Sequence, residues 1–299
     1  MELRTLRAFV EVVRQGGFTQ AAKKVFATQS TVSKAIKHLE DEIGVPLLDR
    51  IGHRSKLTAA GEIVYQRALR MLAERNDLMA ELDQLRGLKR GTLRLGLPPV
   101  GSSTLFAPLF AAYHKRHPGV EIRLVEHGGE RLEELLLSGE IELAASLLPV
   151  SDTMEWQAIR REPLTVLLST NDELSRRRSV GLPAVKHLPF ILFETGFALN
   201  RIILDACHRH GFEPNIVARS SQIDFIVELA AAGLGAAFLP GMIAEQRKLP
   251  SVSRVLLVEP DTDWHIAMVW RRGAYLSQAA RAWLDLVSKT WGRPSGGSK

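Results

Sequence analysis

The chain has 299 residues, 45% of them hydrophobic and 24% charged, a balance that excludes an intrinsically disordered chain and leaves room for two or three domains. The formal net charge of +6 is uneven: residues 1–90 hold 16 Lys and Arg against 11 Asp and Glu, while the other 209 hold 23 against 22. A basic small part joined to a nearly neutral large one suggests nucleic acid as a partner.

Met1-Glu2-Leu3-Arg4 carries an acid and no unbroken apolar core, so it does not read as a secretory signal, and a cytosolic chain is expected. Leu3, Leu6, Phe9, Val10 and Val13 then recur at helical spacing until Gly16-Gly17. Phe18-Thr19 opens a second, very short helix over Gln20-Ala21-Ala22-Lys23-Lys24-Val25, where the two alanines permit a close crossing. After the tight link Phe26-Ala27-Thr28, a third helix is expected over Gln29–Ile43, with Val32, Ile36, Leu39 and Ile43 facing inward and Gly44 and Pro46 as its stop.

Two helices joined so tightly, the second with a polar face, make a helix-turn-helix, which lays one helix in the DNA major groove. At about 100° per residue, Ser30, Ser33, Lys34 and Lys37 point away from Val32 and Ile36, with Thr28, Gln29 and Thr31 at the leading end. Gln suits adenine, Lys reaches guanine or phosphate, and Ser serves either. Leu47–Leu57 reads as a β-hairpin wing whose cations Arg50, Arg54 and Lys56 are candidates for phosphate or minor-groove contact.

Thr58 can cap a long helix to about Leu85, with Ile63, Val64, Ala68, Met71, Leu72, Leu78, Met79, Leu82 and Leu85 as an apolar stripe that needs a partner. Gly87 and Lys89-Arg90-Gly91 mark a boundary. Strands and helices then alternate, as in a sheet covered by helices. Strands are expected at 92–97, 120–126, 141–147, 164–169, 190–193, 216–218, 236–239 and 266–270, and helices at 105–116, 130–137, 199–210, 223–232 and 276–291.

The uncharged stretch Leu229–Ala244 is broken by Gly233, Gly235, Pro240 and Gly241, so no spanning helix is expected there. Ligands of α/β lobes bind where strand ends turn into helices. Gly101-Ser102-Ser103-Thr104 and Glu194-Thr195-Gly196-Phe197 are two such loops, and His127-Gly128-Gly129 is a third. Helix starts rich in hydroxyls and free N–H groups suit an anion. With Phe193, Phe197, Phe238 and Pro149 as apolar walls, a small carboxylate is the expected ligand, bound through Gly101, Ser102, Ser103, Thr104, His127, Gly128, Pro149, Thr195, Gly196, Phe197 and Phe238.

No P-loop, zincin or nucleophile-elbow motif is present, and Gly233-Leu234-Gly235 lacks the third glycine of a dinucleotide loop. No enzyme, cofactor or metal is therefore expected, although Cys207 and His210 have the spacing of two ligands. The lone Cys207 excludes a disulfide within the chain.

Phe18–Ala22, Gln29–Glu40, Gly44–Arg50 and Leu57–Gly61 resemble the winged helix-turn-helix of LysR-type transcriptional regulators, with Leu48 where that family often has Phe and Lys34 where it often has Arg. An Arg-to-Lys change loses a bidentate fork, which favours phosphate contact at Lys34. The resemblance continues through Glu130–Ala144 and Ala231–Pro240, and more faintly, over Phe190–Asp205 and Ser220–Ala232, to regulators of cyanate or acetate metabolism. It implies an α/β protein: a mostly α winged helix-turn-helix over residues 1–58 and a linker/dimerisation helix over 59–88. A two-lobed effector domain of the type 2 periplasmic-binding-protein kind follows, with lobe I at 89–163 and 266–292, lobe II at 164–265, and a tail at 293–299. The implied partners are double-stranded DNA with dyad half-sites, a small-molecule effector, further copies of the chain in a homodimer and a tetramer, and RNA polymerase; no membrane is among them. The alternative is a solute-binding protein of the same α/β fold.

Overall fold

The computed structural model describes residues 1–51, 54–85, 91–247 and 249–292. They form two compact units, one of Met1–Arg86 with Leu137–Glu140 and one of the remaining residues.

The first unit opens with helices α1 (Leu3–Gln15), α2 (Phe18–Lys24) and α3 (Gln29–Ile43). Gly16 (φ 68°) and Gly44 (φ 83°) end α1 and α3 in the left-handed region, where glycine carries no Cβ penalty. Leu6, Phe9, Val10 and Val12 of α1 pack with Ala21 and Ala22 of α2 and Val32, Ile36 and Leu39 of α3. Burying each of these Leu, Phe, Val and Ile side chains contributes about 1.5–3 kcal/mol.

Strands β1 (Leu48–Ile51) and β2 (Arg54–Leu57) pair antiparallel, Leu48 opposite Leu57 and Asp49 opposite Lys56. Glu40 of α3 anchors the entry to this wing, its Oε1 accepting the N–H groups of Leu47 at 2.8 Å and Leu48 at 3.2 Å. Thr58 caps helix α4 (Ala59–Leu85) by accepting the Gly61 N–H at 2.9 Å, and its hydroxyl donates to the Pro46 carbonyl at 2.8 Å. A Cβ at Gly61 would overlap the Leu47 carbonyl oxygen, which explains the glycine.

The apolar residues of α4 divide into two faces rather than one stripe. Tyr65, Ala68 and Leu69 are buried against the helical core, with Val64 and Leu72 packed beside them. Ile63, Met71, Leu78 and Leu82 lie on another side, within an arc of about 100°, and are 65%, 42%, 55% and 41% exposed. In the same unit Arg14, with a side chain only 2% exposed, pairs with Glu11 at 3.1 Å and Glu140 at 2.5 Å.

The second unit holds two sheets. The smaller has the order β4-β3-β5-β13-β6, built from β3 (Thr92–Leu97), β4 (Glu121–Glu126), β5 (Leu143–Leu147), β6 (Met154–Glu162) and β13 (Trp264–Arg271). The larger has the order β10-β9-β11-β7-β12-β8, built from β7 (Leu164–Ser169), β8 (Ser179–Val180), β9 (Phe190–Phe193), β10 (Ile216–Ser220), β11 (Ala236–Pro240) and β12 (Val252–Leu257). The helices are α5 (Ala107–Arg116), α6 (Gly129–Leu137), α7 (Leu182–Val185), α8 (Ala198–Arg209), α9 (Ile223–Ala231), α10 (Gly241–Gln246) and α11 (Gln278–Trp291).

β3 runs parallel to β4 and β5, whereas β13 pairs antiparallel with β5 and β6, so the late strand returns to the first sheet. Tyr113 and Phe110 of α5 meet Trp283 of α11 edge-on at 5.4 and 5.1 Å, and the buried Tyr113 hydroxyl donates to the Ala279 carbonyl. The helix expected from Leu105 starts instead at Ala107, after a π-type turn over Ser102–Phe106 that fits Pro108 into the first helical turn.

Candidate functional sites

Helices α2 and α3 meet through Val25–Thr28, where Phe26 takes φ 55° and is 95% exposed. Thr28 caps α3, accepting the Thr31 N–H at 3.2 Å, and its hydroxyl also contacts those of Ser30 at 2.9 Å and Thr31 at 2.8 Å. Gln29, Ser30, Thr31, Lys34 and Lys37 are exposed and Ser33 is half-buried, so α3 presents these side chains to solvent. In the wing Lys56 is exposed, and Arg50 and Arg54 have backbone positions across the hairpin from Ser55 and Ile51. A cleft of about 450 Å³ beside α3 is lined by Arg4, Arg7, Lys24, Phe26 and Thr31 among others. The cations Arg4, Arg7 and Lys24 were not among the expected site residues; the i, i+3 pair Arg4 and Arg7, opposite the apolar face of α1, is the signal that could have found them.

In the second unit a small pocket is lined by Pro98 and Val100 after β3, Gly128 and Gly129 at the start of α6, Ala145, Ser146 and Leu147 of β5, Phe197, Ala198 and Leu199 at the start of α8, and Trp264. Its free volume of about 20 Å³ holds a water or two. A Cβ on Gly128 would stand 2.7 Å from the Gly196 carbonyl oxygen, and one on Gly101 2.8 Å from the Trp264 ring. The walls therefore touch where glycines let them, and any larger ligand needs the pocket to widen.

Of the residues expected to bind a ligand, Gly128 and Phe197 line this pocket; Phe197 stacks on Phe193 at 5.2 Å with the rings 9° from parallel. Gly101 and Gly196 stand directly behind the walls. Ser102 is buried and its hydroxyl donates to the Pro98 carbonyl, so it braces the loop. Thr104 reaches Gln246 at 2.7 Å. Ser103, His127, Pro149 and Thr195 are exposed, and the Pro149 carbonyl accepts from Arg201 at 3.5 Å. The placement of Phe238 differs from expectation: it is 2% exposed and packs on Phe190 at 4.9 Å, because the apolar β11 lies between two other strands and buries both its faces.

Besides Pro98, Val100, Ala145, Ser146, Leu147, Ala198 and Leu199 of the lining, Trp264 and Asn200 escaped the sequence reading. Trp264 follows a polar stretch and gives no loop signal. Asn200 sits within a helical pattern, yet its buried amide accepts the Phe193 N–H at 3.1 Å and donates to the carbonyls of Phe193 at 2.9 Å and Glu194 at 3.0 Å. It fixes the turn that carries Phe197. Cys207 is buried, and burial with nearby Glu259 raises its thiol to about 11, while His210 bonds to Glu259.

Residues 3–62 match the bacterial regulatory helix-turn-helix protein, lysR family, and residues 86–292 match the LysR substrate binding domain. The chain belongs to the LysR family of transcriptional regulators. This LysR-type regulator is 34% identical over 286 residues to YwbI, an HTH-type transcriptional regulator of Bacillus subtilis (strain 168), with 95% of each chain covered. It is 32% identical over 280 residues to the HTH-type transcriptional regulator BudR of Raoultella terrigena, covering 91% of this chain and 95% of that one. Among solved structures, full-length BenM is similar at a TM-score of 0.61 and 26% identity, covering 99% of this chain and 100% of BenM. Like its family, the LysR-type regulator is a DNA-binding transcriptional regulator with an effector-binding domain, and the two surfaces above are where those activities are sought. Among the described residues no helix is long and apolar enough to cross a membrane.

Proposed function

We propose that this cytosolic LysR-type regulator reads promoter DNA through Gln29, Ser30 and Ser33. Lys34, Lys37 and the wing cations Arg50, Arg54 and Lys56 hold phosphates, and Thr28 and Thr31 fix the start of the recognition helix. The observation that carries this reading is the exposed polar face of α3, short donors and two cations on a helix capped by Thr28. The exposed apolar arc of α4, Ile63, Met71, Leu78 and Leu82, supports a homodimer that carries two DNA-binding domains to two half-sites, and tetramers extend that assembly.

The effector is a small carboxylate with an apolar body, bound in the pocket of the second unit. Two helices, α6 and α8, begin at that pocket, and their N-terminal dipoles favour an anion, while Val100, Leu147, Leu199 and Trp264 offer apolar surface. The effector acts by binding one width of the pocket more tightly than another, which shifts the oligomer's geometry on the promoter and so its engagement with RNA polymerase. The test is titration of the full chain with butyrate and with neutral butanol, followed by thermal unfolding. A rise in Tm with butyrate alone supports an anionic effector; equal shifts, or none from a series of short carboxylates, reject it.

A further inference from the structure

Within the second unit the chain passes between the two sheets at Glu162-Pro163, joining β6 to β7, and again over Val258–Asp263, joining β12 to β13. The second crossover leads straight into Trp264, a wall of the ligand pocket that is 1% exposed.

This crossover is strapped to the far end of the helix that forms another wall. Helix α8 starts at the pocket, where Ala198 and Leu199 line it, and runs 12 residues, about 18 Å, to Arg209. There the Arg209 guanidinium donates to the Pro260 carbonyl at 2.6 Å, and His210 Nε2 lies 2.8 Å from Glu259 Oε1. The Glu259 side chain is only 6% exposed, so its carboxylate requires a donor, and His210 supplies one. Thr262, 2% exposed, closes the bend by donating to the Glu259 carbonyl at 2.8 Å, and Asp261 takes φ 56° beside it. A non-glycine residue in the left-handed region costs energy, so the bend persists because its surroundings hold it.

We propose that His210 and Glu259 are positioning residues for the effector pocket, with α8 as the strut between them and its wall. The pair fixes the crossover against the C-terminal end of α8, and the rigid helix carries that constraint to Ala198 and Leu199. The separation of the α8 wall from the Trp264 wall then follows the strap. The inference rests on the pocket being the effector site only for its consequence; the mechanical link is tested without ligand.

Hydrogen exchange of the full-length chain, followed by mass spectrometry, compares the natural protein with His210→Ala, His210→Gln and Glu259→Gln. His210→Ala is expected to speed exchange at least threefold across residues 195–200, whose Phe197 and Asn200 N–H groups are bonded in the natural turn, besides residues 207–212 and 258–263. His210→Gln, which keeps a donor near Nε2, is expected to restore the rate at 195–200. Faster exchange confined to 207–212 and 258–263 overturns the proposal, since that is what a local structural bond gives. Should His210→Ala fail to fold, Glu259→Gln decides: it weakens the acceptor, and a natural rate at 195–200 overturns the link. A normal link together with no response to any carboxylate would leave this inference standing and remove the effector reading instead.

Discussion

Asn200 holds both backbone groups of Phe193, taking its N–H at 3.1 Å and donating to its carbonyl at 2.9 Å. One buried amide seven residues along thereby completes the end of β9 and sets the turn that brings Phe197 to the pocket. Replacing it by Ala leaves the buried Phe193 N–H without its acceptor, at about 1–3 kcal/mol, and removes one of two donors to the Phe193 carbonyl, which Arg219 Nη1 still meets at 3.1 Å. Asn200→Ala is expected to lose about 2 kcal/mol or more in urea unfolding, and to weaken effector binding beyond what the stability loss accounts for.

The α3 cap gives a second expectation. Thr28→Ala removes the acceptor for the Thr31 N–H and should cost about 1 kcal/mol of stability. Thr28→Ser keeps the oxygen and should cost little, so a Ser variant as damaged as the Ala variant in thermal unfolding would show that the methyl, not the cap, matters.

The exposed arc of α4 predicts association. Leu78→Glu with Leu82→Glu places two charges in a face proposed to pack against a second copy, while Tyr65, Ala68 and Leu69, which hold the first unit's core, are untouched. Sedimentation should report a dimer or larger species for the natural chain and a shift toward monomer for the double variant, with helix content by circular dichroism preserved. An unchanged assembly state would place the interface elsewhere.

Two buried groups set the alkaline limit of stability. Burial raises the Cys207 thiol to about 11 and, together with Glu142, the Tyr113 phenol to about 12. Each folded group keeps its proton at pH values where the unfolded group has lost it. The native state therefore binds more protons there, and stability falls as pH rises, from about 9 through 11 for the thiol and from about 10 through 12 for the phenol. Unfolding midpoints between pH 8 and 11 should decline less steeply in Cys207→Ala, and a thiol reagent at pH 8 should react with Cys207 only on unfolding.

The helix-turn-helix was legible because each of its devices is local: apolar spacing in α1 and α3, glycines at their ends, and a threonine before α3. The central strands of the second unit were legible as apolar runs. Met154–Glu162 was not, because Trp156-Gln157 and Arg160-Arg161-Glu162 give no apolar alternation; pairing along the whole of β13 makes it a strand. The two faces of α4 looked like one stripe because spacing alone does not tell a face packed within the unit from one left open. Phe197 was legible as a loop aromatic, whereas Trp264 reaches the pocket only through a crossover between sheets, a long-range relation that no window of sequence contains.

The central claim is that α3 reads DNA sequence. The most direct measurement incubates the purified full chain with fragmented genomic DNA at two salt concentrations, sequences what is retained, and repeats this with Ser33→Ala, Lys34→Ala. The account predicts a few dyad-symmetric sites whose enrichment falls about 10-fold or more in the double variant, the scale of losing a base contact at Ser33 worth about 1–3 kcal/mol together with a phosphate contact at Lys34. Retention without sequence preference, fading steeply with salt as counterion release requires and unchanged in the variant, would contradict it.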